Sequence, residues 1–159
     1  MTKPCRGLEL VLSGQKPRFL KHLACDFNGT LAANGIISRG VSRKLMQLSK
    51  LVKITILTSD TYGTARSNLR RLPVRLCIIS TGKEKRTFVE SLRSEGVIAV
   101  GNGYNDIGMF RAADFGIAVL GPEGLAGKLI SVADVVAVSI DDALDLLLQT
   151  KRLTATLRT

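Results

Sequence analysis

Short apolar runs alternate along this chain with amphipathic stretches, and that alternation limits the possible folds more than any other feature. Several of the runs contain no polar alternation, which is typical of parallel strands covered on both faces. The predicted strands are residues 20–25, 52–57, 76–79, 97–100, 116–120 and 135–138. The predicted helices are residues 41–51, 62–72, 84–94, 105–113, 123–131 and 141–149. Repeated strand–helix pairs predict an α/β protein with a Rossmann-like, doubly wound parallel sheet and right-handed crossovers.

The start of the chain predicts a β-hairpin in addition to this sheet, because residues 8–12 and 19–23 are apolar and flank the turn sequence SGQKP. No stretch longer than about 12 residues lacks a predicted element, so residues 1–159 are predicted to form a single domain without a cap or a large lid. The cleft of such a domain is open unless a neighbouring subunit covers it. We therefore expect homo-oligomerisation, because an open site excludes water poorly.

The formal net charge of +10 is concentrated in the first half of the chain. Residues 1–80 carry 14 Lys and Arg against 3 acids, whereas residues 81–159 carry 9 against 10. A basic surface can attract polyanions or phosphorylated substrates, and it can equally consist of solvated helix faces. The second interpretation is favoured, and nucleic-acid binding is disfavoured, because the basic residues are not interleaved with aromatic side chains that stack on single-stranded bases.

Hydropathy and cysteine content predict a cytoplasmic protein. The apolar runs are far shorter than the roughly 20 residues of a membrane-spanning helix. The N-terminal sequence MTKPCRGLEL lacks the apolar stretch of a signal peptide. Cys5, Cys25 and Cys77 are an odd and widely scattered set, so we predict reduced, mostly buried thiols and no disulfide scaffold.

Polar side chains follow the apolar runs at the carboxyl ends of the predicted strands, where open parallel sheets bind their ligands. The first run ends at Asp26, which is followed by Asn28, Gly29 and Thr30. A lone acid at a strand end can simply cap a turn. The amides, the flexible turn and the hydroxyl that follow favour a carboxylate acting as a nucleophile or as a magnesium ligand.

A hydroxyl and a lysine are the candidates that follow the second and third predicted strands. The second strand leads into Thr58, Ser59 and Asp60. Asp60 is predicted to cap the next helix, whereas the Thr58 hydroxyl and nearby amides can hold a phosphate oxygen. Lys85 lies on the apolar face of its helix and Lys83 does not. Lys85 can therefore reach the cleft and neutralise a carboxylate or phosphate; the alternative is a surface lysine with a buried stem.

The sequence VIAVGNGYNDIGMF places a glycine-bracketed turn after the fourth predicted strand. Gly101 and Gly103 resemble the start of a dinucleotide-binding fingerprint. Asp106, however, stands where the third glycine is needed, and its charge would oppose a pyrophosphate. Asn102 and Asp106, beside Asp26, instead predict an all-oxygen site for one hard cation.

Four segments together resemble the motifs of the haloacid dehalogenase-like hydrolases. They are DFNGT from Asp26, the strand-end Thr58, the helix-start Lys85, and GNGYND from residues 101 to 106. The segments occur in the order of the family and on the matching elements. The sequence is most similar to the small, capless subgroup of soluble relatives of P-type ATPases, in which both acidic motifs contain asparagine.

The resemblance implies a magnesium-dependent phosphoryl-transfer enzyme, a phosphatase acting on phosphate esters or acyl phosphates. Asp26 would be the nucleophile that forms an aspartyl-phosphate. Phosphate would be held by Thr58, Ser59, Gly29 and Lys85. Magnesium would be bound by Asp26, Asn102, Asp106 and the backbone carbonyl of Asn28.

Two asparagines depart from the general pattern of the family. Most of its phosphatases carry an acid at the position of Asn28, which protonates the leaving oxygen and later activates water, and an amide can do neither. Losing such a group removes about 10²- to 10⁴-fold in rate. Slow turnover, a preference for leaving groups that need no proton, or a long-lived phosphoenzyme is therefore predicted. Asn102 replaces an acidic ligand, which predicts weaker magnesium binding.

The alternative function is a catalytically impaired module of the same fold that binds phosphate or metal or is structural. The substrate, a phosphorylated small molecule or macromolecule, stays open.

Overall fold

Eight strands and seven α-helices form the part of the chain that the computed structural model describes, residues 6–159. The strands are β1 (Leu8–Leu10), β2 (Arg18–Leu20), β3 (His22–Asp26), β4 (Lys53–Thr58), β5 (Arg75–Ile78), β6 (Val97–Gly101), β7 (Phe115–Val119) and β8 (Val135–Ala137). The α-helices are α1 (Arg39–Leu48), α2 (Ala65–Leu69), α3 (Gly82–Leu92), α4 (Ile107–Ala112), α5 (Gly127–Ile130), α6 (Ile140–Leu148) and α7 (Thr150–Thr156). Two 3₁₀ turns span Arg93–Glu95 and Tyr104–Asp106.

Six of the strands form one parallel sheet in the order β5-β4-β3-β6-β7-β8. One hydrophobic core joins one face of the sheet to α1, α2, α6 and α7. A second core joins the other face to α3, α4 and α5. Both faces of the sheet are therefore covered, as apolar strands without polar alternation require. This arrangement confirms the predicted doubly wound α/β fold.

The order of the strands reverses at β3. The chain passes from β3 outward to β4 and β5, and then returns to β6 on the other side of β3. The loops that follow β3 and β6 consequently leave in opposite directions and open a crevice at the carboxyl edge of the sheet. Asp26, the last residue of β3, lies at this crevice.

The predicted N-terminal hairpin is present as a separate two-stranded sheet. β1 pairs with β2 in antiparallel register, with Leu8 opposite Leu20. The second strand ends earlier than predicted because the chain enters β3 at His22. Within residues 6–159 no cap domain is inserted between the elements of the core.

Two helices, α2 and α5, are much shorter than predicted, and one helix was not predicted. The start of the predicted helix 62–72 is a turn in which Gly63 has φ +65°, so α2 begins only at Ala65. The start of the predicted helix 123–131 is a turn in which Gly124 has φ +83°, so α5 begins at Gly127. The C-terminal tail forms α7, which is held against the core by its buried Leu153.

The cysteine prediction is confirmed where the structure describes it. Cys25 is a buried free thiol and Cys77 is a half-buried free thiol, whereas Cys5 lies outside the described residues. Burial, followed by the nearby Asp26 and Asp106 carboxylates, raises the pKa of the Cys25 thiol well above its ordinary value. None of the helices in residues 6–159 has the length and hydropathy needed to cross a bilayer.

Candidate active site

Asp26 occupies the central position of the candidate site. Its Cα pairs with that of Leu57 on β4, so Thr58 follows at the tip of the neighbouring strand. On the other side, β3 pairs with β6, which leads into the loop of residues 101–106. The parallel register thus brings together three of the four sequence segments that were predicted to form the site.

Lys85 brings the fourth segment into contact with Asp26. Its side chain is 2% exposed, and its Nζ donates to Asp26 Oδ1 at 2.6 Å and to Asp106 Oδ1 at 2.7 Å. The helix α3 is fixed at its start by a capping box between Thr81 and Glu84, which sets the position of the lysine one residue later. Lys83 is exposed to solvent. The convergence of Asp26, Lys85 and Asp106 that the sequence predicted is therefore observed.

Asp106 is fully buried, and both of its oxygens accept hydrogen bonds from the protein. Oδ1 accepts from Lys85, and Oδ2 accepts from the backbone amides of Asn102 at 3.1 Å and Gly103 at 2.9 Å. The carboxylate thus closes the loop that begins with Gly101. These contacts give Asp106 a structural role in the loop, and the prediction that it is also a direct metal ligand stays a prediction.

The charges of this cluster are strongly coupled. Burial, and then the Asp106 carboxylate, raise the pKa of Asp26 to about 6, although Lys85 and Thr30 act in the opposite direction. Burial would lower the pKa of Lys85, but Asp106 and Asp26 outweigh it and raise that pKa. The lysine is therefore charged at neutral pH, and the three groups together carry one net negative charge once Asp26 is ionised.

Thr30 connects Asp26 to Asn102. Its hydroxyl lies 3.1 Å from Asp26 Oδ2 and 3.0 Å from Asn102 Oδ1, and its single proton can be donated to only one of them at a time. The amide group of Asn102 donates to the backbone carbonyl of Gly124 at 3.0 Å, which leaves Oδ1 facing Thr30. Thr30 is not among the site residues predicted from the sequence, although its hydroxyl follows Asp26 closely in the chain.

The predicted phosphate-binding hydroxyl is that of Thr58, which is 2% exposed. Thr58 Oγ1 accepts a hydrogen bond from the amide of Asp60 at 2.9 Å, so its own proton is free to be donated to a ligand. Asp60 is not the N-cap residue of α2, which is Thr64, but its Oδ1 accepts from the first helical amide, Ala65 N, at 3.0 Å. Ser59 is exposed at the rim.

Asn28 and Gly29 lie in the turn after β3. Gly29 has φ +75°, and its amide donates to Ala32 O at 2.9 Å, so this amide is already used and does not point a free donor at a phosphate. The side-chain Oδ1 of Asn28 is buried and has no hydrogen-bond partner among the described residues. A buried acceptor without a partner costs about 1–3 kcal/mol, which favours a ligand or water that donates to it.

The oxygen atoms around Asp26 are of the kind that binds magnesium, but together they carry little negative charge. Asp26 Oδ2, Asn102 Oδ1 and the backbone carbonyl of Asn28 are the hard oxygen donors that Mg²⁺ uses. Within residues 6–159 no group of three or more His, Cys, Asp or Glu side chains is arranged to hold a metal. The donor set therefore contains a single carboxylate, Asp26, and the weak magnesium binding predicted from Asn102 stays a prediction.

Glu123 is a neighbour of this site that sequence analysis missed. A Cβ atom built on Gly29 would lie 2.7 Å from Glu123 Oε2 and 2.7 Å from Asn102 Nδ2. Glu123 follows β7 at the same carboxyl edge of the sheet as the other site residues. The rule of inspecting residues after each strand would have found it, but the segment was assigned to the predicted helix 123–131.

Comparison with known proteins gives a family match for the second half of this site. A family model described as haloacid dehalogenase-like hydrolase matches residues 73–142, a segment that contains Lys85, Asn102 and Asp106. An uncharacterised protein from Methanocaldococcus jannaschii is 46% identical over 78 residues, which cover 46% of this chain and 84% of that protein.

Solved structures share the fold at low sequence identity. The 3-deoxy-D-manno-octulosonate 8-phosphate phosphatase from Moraxella catarrhalis, crystallised with magnesium, phosphate and its sugar acid, is 17% identical with a TM-score of 0.64, covering 86% of this chain and 90% of that one. A zinc-transporting PIB-type ATPase is 23% identical with a TM-score of 0.62. That alignment covers 76% of this chain and 20% of the ATPase.

Proposed function

The chain belongs to the haloacid dehalogenase-like hydrolases, and on that premise we propose that it is a magnesium-dependent phosphatase that works through an aspartyl-phosphate on Asp26. The observation that carries the proposal is the position of Lys85 Nζ, buried between Asp26 Oδ1 and Asp106 Oδ1 at 2.6 and 2.7 Å. A buried lysine held this way keeps the nucleophilic carboxylate oriented. It also provides a positive charge for the phosphoryl oxygens that approach the carboxylate.

The first step of the proposed reaction is attack of an Asp26 carboxylate oxygen on phosphorus. A P–O bond to Asp26 forms while the bond to the leaving oxygen breaks, and that oxygen departs with the electron pair. The hydroxyl of Thr58, whose proton is free, and the ammonium of Lys85 hold the phosphoryl oxygens. Bound magnesium, held by Asp26, Asn102 and the carbonyl of Asn28, would neutralise negative charge on the phosphoryl group.

The second step is hydrolysis of the acyl phosphate, in which water attacks phosphorus, phosphate leaves and Asp26 is restored as a carboxylate. Water attack requires a base, and the leaving oxygen of the first step requires an acid unless it is a stable anion. Asn28 supplies neither. We therefore infer that esters of acidic alcohols and acyl phosphates are better substrates than alkyl phosphates, and that the phosphoenzyme accumulates.

The open crevice bears on the substrate and on assembly. No cap covers the carboxyl edge of the sheet within residues 6–159, so phosphorylated small molecules and phosphorylated macromolecules can both reach Asp26. The phosphatase and the ATPase of similar fold support phosphorylated ligands as a class. We propose that a second copy of the chain shields the crevice from water in a homo-oligomer.

The proposal is tested by trapping the phosphoenzyme. Wild type is mixed with radiolabelled acetyl phosphate and magnesium and quenched in acid, and we expect label on the protein that is absent from Asp26→Asn. Asn28→Asp should lose its label faster, by on the order of 10²-fold, because a base for water has been restored. Turnover of p-nitrophenyl phosphate should rise in parallel.

A second measurement separates the enzyme from an impaired module of the same fold. Beryllofluoride with magnesium mimics an acyl phosphate only on a competent, metal-bound carboxylate, so it should raise the melting temperature of wild type and leave Asp26→Ala unchanged. If wild type acquires no label and shows no shift in melting temperature at millimolar magnesium, the phosphatase proposal is overturned. It would leave a phosphate-binding or structural role for the chain.

A further inference from the structure

The turn after β7 is locked onto the candidate metal site. Gly124 N donates to Gly121 O at 2.9 Å, which closes the four-residue turn that contains Glu123. Asn102 donates from its side chain to Gly124 O at 3.0 Å and accepts through its backbone carbonyl from Ala126 N at 2.8 Å. A side chain on Gly121 would overlap the carbonyl oxygen of Gly29. The backbone around Glu123 is therefore fixed relative to Asn102 and Gly29.

The Glu123 carboxylate lies close to the Asn102 amide. Both Glu123 Oε2 and Asn102 Nδ2 would be 2.7 Å from a Cβ atom on Gly29. Two atoms that each lie 2.7 Å from the same point are separated by no more than twice that distance. A single water molecule can bridge a gap of this size between two polar groups.

The negative charge of Glu123 is not neutralised by an ion pair within the described residues. In the described part of the chain no Lys, Arg or His forms an ion pair with it. The inner cluster of Asp26, Asp106 and Lys85 carries one net negative charge, so a divalent cation there would remain incompletely neutralised. Glu123 is exposed to solvent, and its carboxylate would bring a second net negative charge to the edge of this cluster.

We propose that Glu123 is the second negative charge of the metal site, acting from outside the inner ligands and offsetting the charge lost at Asn102. Mg²⁺ retains several of its waters in proteins, so Asp26 would bind the cation directly and Glu123 would act on it through those waters. Glu123 is a positioning residue for the cation and does not contact the reacting atoms. The proposal rests on the proposed function, because it assumes the cation site at Asp26 and Asn102.

The experiment measures cation binding without turnover. Mn²⁺ is titrated into the full chain, bound metal is followed by loss of the free-ion electron paramagnetic resonance signal, and Mg²⁺ is added as a competitor. Glu123→Gln should weaken binding by about 10-fold or more, the usual effect of removing a partner outside the inner ligands. Glu9→Gln removes the same charge from exposed Glu9 on β1 and should have no effect.

The Asn102→Asp variant tests whether Glu123 offsets the negative charge that is missing at Asn102. Asn102→Asp should strengthen Mn²⁺ binding, and in that background Glu123→Gln should cost several-fold less than in wild type. Equal affinities of wild type and Glu123→Gln, or an equal cost of Glu123→Gln in both backgrounds, would overturn the proposed role of Glu123 while leaving the phosphatase proposal intact. Absence of Mn²⁺ and Mg²⁺ binding by wild type would instead remove the metal site, and both proposals with it.

Discussion

Asp26, Lys85 and Asp106 are buried together beside Thr58. Lys85 is the one positive side chain of the three. Asp106 is the structural member of this group, because its second oxygen is held by the amides of Asn102 and Gly103. Asp26 is the member with a variable charge, because its second oxygen meets only the hydroxyl of Thr30. Its raised pKa shows that the ionised form of Asp26 is destabilised in the absence of a cation. A destabilised carboxylate at this position is ready to be neutralised by a metal ion or by a phosphoryl group.

Because the ionised form of Asp26 is destabilised, the stability of the metal-free protein depends on pH. The folded-state pKa of Asp26, about 6, lies above its ordinary value of 3.8, so the folded state binds the proton more tightly than the unfolded state. The resulting stabilisation is fully present below about pH 4 and is lost as pH rises through about 6. Asp26→Asn does not titrate. Its free energy of unfolding, relative to wild type, should therefore increase by about 2 kcal/mol between pH 4 and pH 7.

The measurement is urea unfolding of both proteins in EDTA at a series of pH values. A difference between wild type and Asp26→Asn that stays constant from pH 4 to pH 7 would show that the ionised Asp26 is not destabilised. Repeating the series with saturating Mg²⁺ gives an internal control, because a cation at the site should reduce the advantage of the asparagine at neutral pH.

At the scale of elements, the strands and the convergence of their polar ends were predictable, because apolar runs and the geometry of a parallel sheet determine both. Lys85 was predictable from its place on the apolar face of α3. The starts of α2 and α5 were not, because the turns at Gly63 and Gly124 depend on positive φ angles that helical periodicity does not reveal. The mistaken start of α5 also concealed Glu123.

The role of Asp106 shows a second limit of the sequence. Spacing placed it near Asp26 but could not show that both of its oxygens would be used by Lys85 and by the loop of residues 101–106. Similarly, α7 forms because Leu153 is buried against the core, and a tertiary contact of this kind has no signal in the tail sequence itself. Local patterns therefore indicated Asp26, Lys85 and Asp106 but not Glu123, and three-dimensional contacts decide what each of these residues touches.

Gly101, the last residue of β6, should tolerate no side chain. A Cβ on Gly101 would overlap Asp106 Oδ2 and lie 2.7 Å from Asp106 Cγ. Gly101→Ala should lower the free energy of unfolding by about 1–3 kcal/mol, as overpacking does elsewhere, and should reduce formation of the phosphoenzyme because Asp106 orients Lys85. Gly127→Ala is the matched control, since nothing lies within 4 Å of the added Cβ. Equal stability of the two variants in urea would contradict this account of the loop.

At the scale of the whole molecule, the unequal distribution of charge should act on the rate of encounter with anionic substrates. Exposed Arg66 and Lys83 lie in the first turns of α2 and α3, the helices that follow β4 and β5, so they are on the side of the crevice. A positive field there attracts phosphorylated molecules, and salt screens it over about 10 Å at 0.1 M ionic strength. We therefore expect kcat/KM to depend on salt more strongly than kcat does.

The prediction is tested by measuring p-nitrophenyl phosphate turnover from about 20 to about 200 mM NaCl. In wild type, kcat/KM should fall by about 3- to 10-fold over this range while kcat changes little, because screening weakens encounter and leaves the buried cluster intact. Neutralising Arg66 and Lys83 to Gln should flatten this dependence. Neutralising exposed Lys50 and Arg93, which precede β4 and β6 at the opposite edge of the sheet, should preserve it. If both pairs have the same effect, only net charge matters, and the position of the basic residues around the crevice has no role in substrate capture.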